Sequence, residues 1–258
     1  MVHKNNSPNI NYKKIQDLTN FEIPASNMLN AENTFQIYEQ LRPILPKTKA
    51  IKSEIIHSVR ELLDKVDGLI LDGYGIINVG EHLTPQFNDF FAEISLRKLP
   101  YVILTNGASR HSKEIIRKYK SWGLKLNKYD LISSRDVLEE KLLYKPKKKI
   151  MRLSKTTAPL KNCFNLNYGV GSFNSTFHQA EAFAFMGSID WIETQQYKFE
   201  TALKENPRPV FVANPDVSAP QENWFSTEPG YWVIRAMKQA VFPVEWFGKP
   251  YPASYQMA

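Results

Sequence analysis

The chain has little of several features that would define its class by themselves. Cys163 is its only cysteine, which excludes an intrachain disulfide and suits a reducing compartment. No apolar run approaches the ~20 residues of a membrane span, and the amino-terminal residues lack the apolar core of a signal peptide. We therefore expect a cytoplasmic protein with no membrane partner. With no evident base nearby in sequence, Cys163 is interpreted as a packing residue rather than a nucleophile.

The sequence also lacks the usual signs of a zinc site or a nucleic-acid-binding module. Its five histidines have no metal-ligand spacing, and basic and aromatic residues do not alternate. Part of the net charge of +7 comes from a run around Pro146, namely Lys145, Lys147, Lys148 and Lys149. Such a run is more typical of a solvated turn than of a nucleic-acid patch. We expect no nucleic-acid partner, and tight binding that falls steeply with salt would contradict this.

The most informative stretch is residues 67–80. Residues 69–71 form a short apolar run, typical of a strand buried in a parallel sheet, and the run ends at the carboxylate of Asp72. Three glycines follow, at Gly73, Gly75 and Gly80. An acid at the carboxyl end of a buried strand lies where open α/β sheets bind ligands. The alternative is that Asp72 only stabilises a turn, since Asp-Gly pairs are common in turns.

Strand and helix patterns then alternate along the chain. Residues 84–94 carry apolar side chains at helical spacing after a Thr-Pro start, and residues 101–104 and 131–132 are two more apolar strands. Polar residues, Thr105 and Asn106, again follow the second strand. This alternation predicts an α/β fold with a parallel, Rossmann-like core sheet wrapped by helices.

The composition suggests four segments. Residues 1–52 form an amino-terminal arm with a short helix over 32–41, and 53–148 form the first part of the core, beginning with a helix over 53–65. The pattern changes after the lysine-rich turn, so we interpret 149–240 as an inserted α/β module. Its predicted elements are strands at 149–153, 166–170 and 210–213, and helices at 178–186, 191–203 and 231–240.

Residues 241–258 are predicted to return to the core, with residues 244–247 as a fourth core strand that ends near Lys249. Asp72, the Thr105-Asn106 pair and Lys249 would then follow three strands of one sheet. A carboxylate can attack phosphorus, hydroxyl and amide groups can hold phosphate oxygens, and a lysine can neutralise the charge. Together these residues predict a site for phosphoryl transfer.

The chain resembles the haloacid dehalogenase superfamily, and in particular its class IIA branch of nucleotide and pyridoxal phosphate phosphatases. Segments 69–75, 103–110 and 247–250 carry the resemblance, with 213–216 and 229–230 similar to segments of that branch's cap module. The resemblance implies a Rossmann-like core, an inserted cap that selects the substrate, Mg²⁺ as cofactor and a small phosphorylated substrate. It also implies a contact between two cap modules in a homodimer.

The resemblance assigns roles residue by residue. It makes Asp72 the nucleophile and a Mg²⁺ ligand, Thr105 a phosphate ligand helped by Asn106 and Gly107, and Lys249 the catalytic lysine. Tyr74 would ligate Mg²⁺ through its backbone. Asp216 in the cap segment either faces the substrate or stabilises a turn after Pro215.

Two departures from the family pattern affect the expected activity. Tyr74 replaces the aspartate that usually exchanges protons with the leaving group, and a phenol with a pKa near ~10 does this poorly at neutral pH. The family's fourth, acidic metal-binding motif has no counterpart among the nine residues after Lys249. We therefore expect weak Mg²⁺ binding and slow or absent hydrolysis. The alternative function is a catalytically weak or inactive protein that retains phosphate-ligand binding.

Overall fold

The computed structural model describes residues 22–49, 52, 54–153, 157–167 and 173–258, with side chains from 176 onward in the last range. The predicted arm therefore lies partly outside the described residues, at 1–21, 50 and 51. Residues 168–170 of the predicted strand 166–170 also lie outside them. Within the described part, no helix is long and apolar enough to cross a bilayer.

The elements follow an α/β order with two separate parallel sheets. The strands are β1 Leu69–Asp72, β2 Asn78–Val79, β3 His82–Leu83, β4 Tyr101–Thr105, β5 Leu131–Ser133, β6 Lys149–Arg152, β7 Phe164–Asn167, β8 Ala182–Phe185, β9 Val210–Val212, β10 Ser218–Pro220, β11 Phe225–Thr227 and β12 Val244–Trp246. The helices are α1 Ala31–Leu41, α2 Phe87–Leu96, α3 Ser112–Ser121, α4 Ser134–Leu143, α5 Phe173–Gln179, α6 Glu193–Glu205, α7 Pro229–Gln239 and α8 Pro252–Met257.

The first sheet has the strand order β1-β4-β5, with all three strands parallel. Its inner face packs against α2 and α3 through a cluster that includes Leu71, Ile103, Phe91 and Ile116. The prediction that residues 69–71 are buried on both faces is wrong, because the Ile70 side chain is 53% exposed. Among the described strands β1 pairs only with β4, so one edge and one face of this sheet meet solvent at Ile70.

The second sheet has the order β12-β9-β8-β6-β7 and is also parallel throughout. The strand at 244–246 therefore pairs with β9 in the second sheet, and its predicted place in the core sheet is wrong. Val244, on this strand, is buried in the same apolar cluster as Val210 and Val212 of β9. The segment boundaries near residues 148 and 240 stay predictions.

Two further helix predictions are wrong. Residues 182–185, predicted as part of a helix, form β8, the central strand of the second sheet, and all four side chains are fully buried. A short apolar run buried on both faces has no period that distinguishes a strand from a buried helix. The predicted helix over 53–65, of which residue 53 lies outside the described residues, is only a 3₁₀ turn, Val59–Leu62. Of its predicted apolar stripe Leu63 is buried, whereas Ile55 is 98% exposed.

The starts of α4 and α2 involve local side-chain hydrogen bonds. Ser133 caps α4 and forms a reciprocal pair with Asp136. The helix after the glycine loop is present, but it begins at Phe87 rather than at Thr84. The Thr84 hydroxyl instead donates hydrogen bonds to the carbonyls of Ile76 and Ile77, which fasten the loop after β1.

Helix α1 of the amino-terminal arm packs on the second sheet. Ile37 and Leu41 are buried in the cluster that the second sheet shares with α6 and α7. The carbonyl of Pro24 accepts a hydrogen bond from the Tyr231 hydroxyl at 2.8 Å, and the Tyr38 hydroxyl accepts one from the backbone of Val217 at 3.0 Å. The arm thereby reaches the loop that leads toward the candidate site.

Candidate active site

Asp72 and Lys249 meet although they follow strands of different sheets. Lys249 Nζ forms an ion pair with Asp72 Oδ1 and donates a second hydrogen bond to the carbonyl of Leu104 at 2.9 Å. The Asp72 side chain is about half exposed, at 47%, whereas Lys249 is mostly covered, at 20%. The ammonium group of Lys249, fixed beside this open carboxylate, can attract an anionic ligand to it.

Thr105 lies at the end of β4, beside the strand that carries Asp72. Its side chain is buried, and its Oγ1 accepts a hydrogen bond from the backbone of Gly107 at 3.1 Å. A methyl group added to Gly73 would lie only 3.2 Å from Thr105 Oγ1, so the loop after Asp72 passes close to this hydroxyl. The predicted phosphate-binding roles of Thr105 and Gly107 stay predictions, with the hydroxyl placed at the same sheet edge as Asp72.

Asn106, which follows β4 of the first sheet, contacts residues that follow strands of the second sheet. Its Oδ1 accepts a hydrogen bond from the backbone of Lys249 at 2.7 Å, while its Nδ2 donates to the Lys249 carbonyl at 3.0 Å and to Asp216 Oδ1 at 2.8 Å. The side-chain amide is therefore occupied by protein groups, and it positions Lys249 and Asp216. This geometry favours a positioning role over the phosphate contact predicted for Asn106.

Gly248 permits this close approach. Its φ is +105°, and a methyl group there would come within 2.6 Å of Asn106 Oδ1 and 2.9 Å of Pro215 Cδ. An L side chain at this position would meet both backbone strain and a clash. The glycine before Lys249 is therefore required to bring the lysine onto Asn106.

Tyr74 has both hydrogen-bonding functions of its hydroxyl engaged. The hydroxyl donates to the carbonyl of Pro220 at 2.8 Å and accepts from the backbone of Gly80 at 3.0 Å. Pro220 ends β10, so the phenol ties the loop after β1 to the β10–β11 hairpin. His82 Nε2 and Glu222 Oε1 lie 3.2 Å apart and add an exposed contact between the same two regions.

Asp216 lies on the loop between β9 and β10 and has an unusual environment. Burial raises the pKa of its carboxyl to about 6, while the Asn106 hydrogen bond and the charge of Lys249 lower it and the charge of Asp72 raises it. Glu228, behind it, has a pKa raised by burial to about 7. The two acids and the buried hydroxyl of Tyr38, whose pKa is also raised by burial, form one cluster beneath the site.

Two residues of this region were not predicted as part of the site. The Tyr119 hydroxyl donates to Asn78 Oδ1 at 3.0 Å, and both side chains are buried. Burial and the charge of Asp72 raise the pKa of Tyr119, so its phenol stays protonated beneath the loop after β1. No local sequence pattern links residue 119 to residue 78, so their contact depends on the tertiary fold.

Mg²⁺, which the resemblance implies, prefers hard oxygen ligands. The half-exposed carboxylate of Asp72 and the backbone oxygen of Tyr74 are donors of this kind, and they fit the ion. Among the residues that the structure describes, no three His, Cys, Asp or Glu side chains are arranged to hold a metal, either at this site or elsewhere. Mg²⁺ is commonly held by one or two carboxylates with water and substrate phosphate as further ligands.

Comparison with protein families supports this description of the core. Residues 69–161 match the family model of haloacid dehalogenase-like hydrolases. This segment begins with the strand that carries Asp72 and includes Thr105. No curated protein sequence matches the chain significantly.

Solved structures share the fold at low sequence identity. A possible sugar phosphatase from Cytophaga hutchinsonii is 20% identical, with a TM-score of 0.67 over 79% of this chain and 74% of that one. The 4-nitrophenylphosphatase of Thermotoga maritima is 18% identical, with a TM-score of 0.57 over 76% and 73%. A glycerol phosphate phosphatase from Mycobacterium tuberculosis, in complex with calcium, is 19% identical, with a TM-score of 0.58 over 76% and 56%. The chain therefore has an α/β fold shared with phosphatases.

Proposed function

We proceed from the premise that residues 69–161 belong to the haloacid dehalogenase-like hydrolase family and that the chain has the fold of that superfamily. We propose that this protein hydrolyses small phosphate monoesters through an aspartyl-phosphate. The observation that carries the proposal is the ion pair between Asp72 and Lys249 at the end of β1. This pair supports the proposal because phosphoryl transfer to a carboxylate needs a cation beside the attacking group.

In this mechanism Asp72 attacks the phosphorus atom, and Lys249 offsets the negative charges of the carboxylate and phosphate. Asn106 holds Lys249 in place through two hydrogen bonds to its backbone. Thr105 and the backbone near Gly107 would hold phosphate oxygens. Mg²⁺, when bound by the Asp72 carboxylate and the Tyr74 backbone oxygen, would neutralise the charge of the transferring phosphoryl group.

A specific observation favours a second candidate, binding of a phosphorylated ligand with little turnover. The hydroxyl of Tyr74, at the position of the family's proton-exchanging aspartate, is committed to Pro220 and Gly80. General acid catalysis typically contributes ~10²–10⁴-fold. A protein that lost it without replacement would still bind phosphate beside Lys249.

Phosphate release from 4-nitrophenyl phosphate with millimolar Mg²⁺ tests the first candidate. Asp72→Asn should abolish release, whereas Asp67→Asn, a matched change at an exposed acid just before β1, should leave it unchanged. Release that survives Asp72→Asn would contradict the proposal. Saturable binding of inorganic phosphate without any release would instead support the second candidate.

A further inference from the structure

Asp216 is connected to the reacting groups through one side chain. Asn106 Nδ2 donates to Asp216 Oδ1 at 2.8 Å, and the same amide holds the backbone of Lys249, whose Nζ pairs with Asp72. The charges of Asp72 and Lys249 both act on the carboxyl of Asp216. Asp216 therefore belongs to the same site, although it comes from the loop after β9 in the second sheet.

A separate observation concerns whether Tyr74 is available as a proton donor. The single hydroxyl proton of Tyr74 is directed at the carbonyl of Pro220, and its oxygen also accepts from Gly80. Donation to a leaving group would require these contacts to break and the hairpin to release the loop. In this arrangement the Tyr74 hydroxyl connects the loop after β1 to the β10–β11 hairpin.

The direction of attack indicates where a donor should come from. In phosphoryl transfer the attacking and leaving oxygens lie roughly in line on opposite sides of the phosphorus atom. Asp72 approaches from the first sheet, so the leaving oxygen must face away from that sheet. Asp216 lies on the loop after β9 of the second sheet, and Tyr38 of α1 holds that loop through the backbone of Val217.

The environment of Asp216 suits proton exchange near neutral pH. Its pKa, raised by burial to about 6, gives comparable amounts of acid and carboxylate near pH 6. Glu228, the residue before α7, and Tyr38 of α1 interact with it, as do Lys249 and Asp72 of the site. A donor with a pKa close to the working pH is the most effective general acid.

We propose that Asp216 donates the proton to the leaving oxygen, an assignment that rests on the proposed phosphatase function. Asp72 forms a bond to phosphorus while the bond from phosphorus to the leaving oxygen breaks, and that oxygen takes the proton of the Asp216 carboxyl. The product leaves as an alcohol, and Asp216 remains as carboxylate. A water molecule then attacks the aspartyl-phosphate, Asp216 takes its proton, and inorganic phosphate and the Asp72 carboxylate are released.

Substrates with different leaving groups test this assignment. Nitrophenolate leaves readily without protonation, whereas the alkoxide of glycerol phosphate requires it. Asp216→Asn should therefore lower kcat/KM for glycerol 2-phosphate by about 10²-fold or more, and for 4-nitrophenyl phosphate by less than about 10-fold. Glu228→Gln, the matched change at the neighbouring buried acid, should alter both substrates in the same proportion. Asp216→Glu, which keeps the acid, should recover part of the glycerol phosphate activity.

The outcomes separate the two proposals. An equal loss for both esters in Asp216→Asn, or no loss for the alkyl ester, overturns the donor role while the Asp72-dependent activity stands. If the unmodified protein hydrolyses neither ester, the phosphatase function fails and the donor role fails with it. If Asp216→Asn does not fold, the pH profile decides, because alkyl-ester turnover limited by this donor must decline as pH rises above about 6.

Discussion

At the scale of single residues, the site depends on close backbone contacts as well as on charged groups. Gly230, at the start of α7, lies against the loop that carries Asp216, and a methyl group there would come within 2.1 Å of the Pro215 carbonyl and 2.5 Å of the Asp216 carbonyl. Both atoms belong to the backbone and cannot move aside as a flexible side chain does. Gly230 therefore determines how closely α7 supports the Asp216 loop.

Gly230→Ala should lower the free energy of unfolding by about 2 kcal/mol or more, because the added methyl group must displace this loop. Gly107→Ala is a suitable control, since its methyl group would meet its nearest neighbour, Thr105 Oγ1, at an ordinary 3.4 Å. We expect the control to stay within about 1 kcal/mol of the unmodified protein. Urea unfolding of the two variants measures the difference, and similar losses would show that the contact at residue 230 is not limiting.

The sequence predicted Asp72, Thr105 and Lys249 because each follows an apolar strand, and a strand end is a local pattern. It did not predict the contacts of Tyr38 or Glu228 with the Asp216 loop. Tyr38 reaches that loop from a helix far away in the chain. A contact between distant segments leaves no trace in local periodicity, so only the fold reveals it.

At the scale of elements, apolar patterns predicted most helices and strands but not their partners. The strand at residues 244–246 was predicted correctly as an element and wrongly as a member of the first sheet. Short buried strands of either sheet have the same composition, so their sequences do not encode which sheet they join. The site still forms, because Gly248 lets the chain turn from β12 toward Asn106.

The β10–β11 hairpin illustrates how one side chain can hold two elements together. Tyr74→Phe removes the hydroxyl between Pro220 and Gly80 while keeping the ring. A hydrogen bond of this kind contributes about 0.5–1.5 kcal/mol, so backbone amides of the hairpin should exchange with solvent roughly 2- to 10-fold faster. Hydrogen exchange followed by mass spectrometry measures this.

Tyr197→Phe provides the control, since this tyrosine is exposed on α6. It should leave exchange in residues 218–227 unchanged. If Tyr74→Phe also leaves amide exchange in the hairpin unchanged, the hydrogen bonds of the Tyr74 hydroxyl do not stabilise the hairpin. Tyr74 would then be free to take part in proton exchange, which would weaken the case for Asp216.

At the scale of the whole molecule, the two sheets form one connected structure. Helix α4 follows the first sheet, yet Leu138 and Leu142 pack with Ile150, Ala184 and Phe211 of the second. The acidic cluster of Asp216 and Glu228 lies on the loop after β9 and at the residue before α7. The cluster makes the stability of the molecule depend on pH.

The pKa values of Asp216 and Glu228 are raised by burial to about 6 and about 7, from ordinary values of 3.8 and 4.5. The folded state therefore binds protons more tightly than the unfolded state, and the free energy of unfolding should fall as pH rises from about 4 to about 7. His111 has the opposite effect below about pH 6.5, because burial lowers its pKa. The contribution of one acid is therefore best isolated by a substitution.

Glu228→Gln removes a group that must ionise in a buried position as pH rises. Between pH 5 and 8 the free energy of unfolding should therefore fall less in the variant than in the unmodified protein, by roughly 1–3 kcal/mol. Glu140→Gln, which removes an exposed acid from α4, should leave the slope unchanged. Urea unfolding at pH 5 and pH 8 gives both slopes. Parallel slopes for Glu228→Gln and the unmodified protein would mean that Glu228 ionises as readily in the folded chain as in the unfolded one. The acidic cluster of Asp216 and Glu228 would then be more hydrated than its burial indicates.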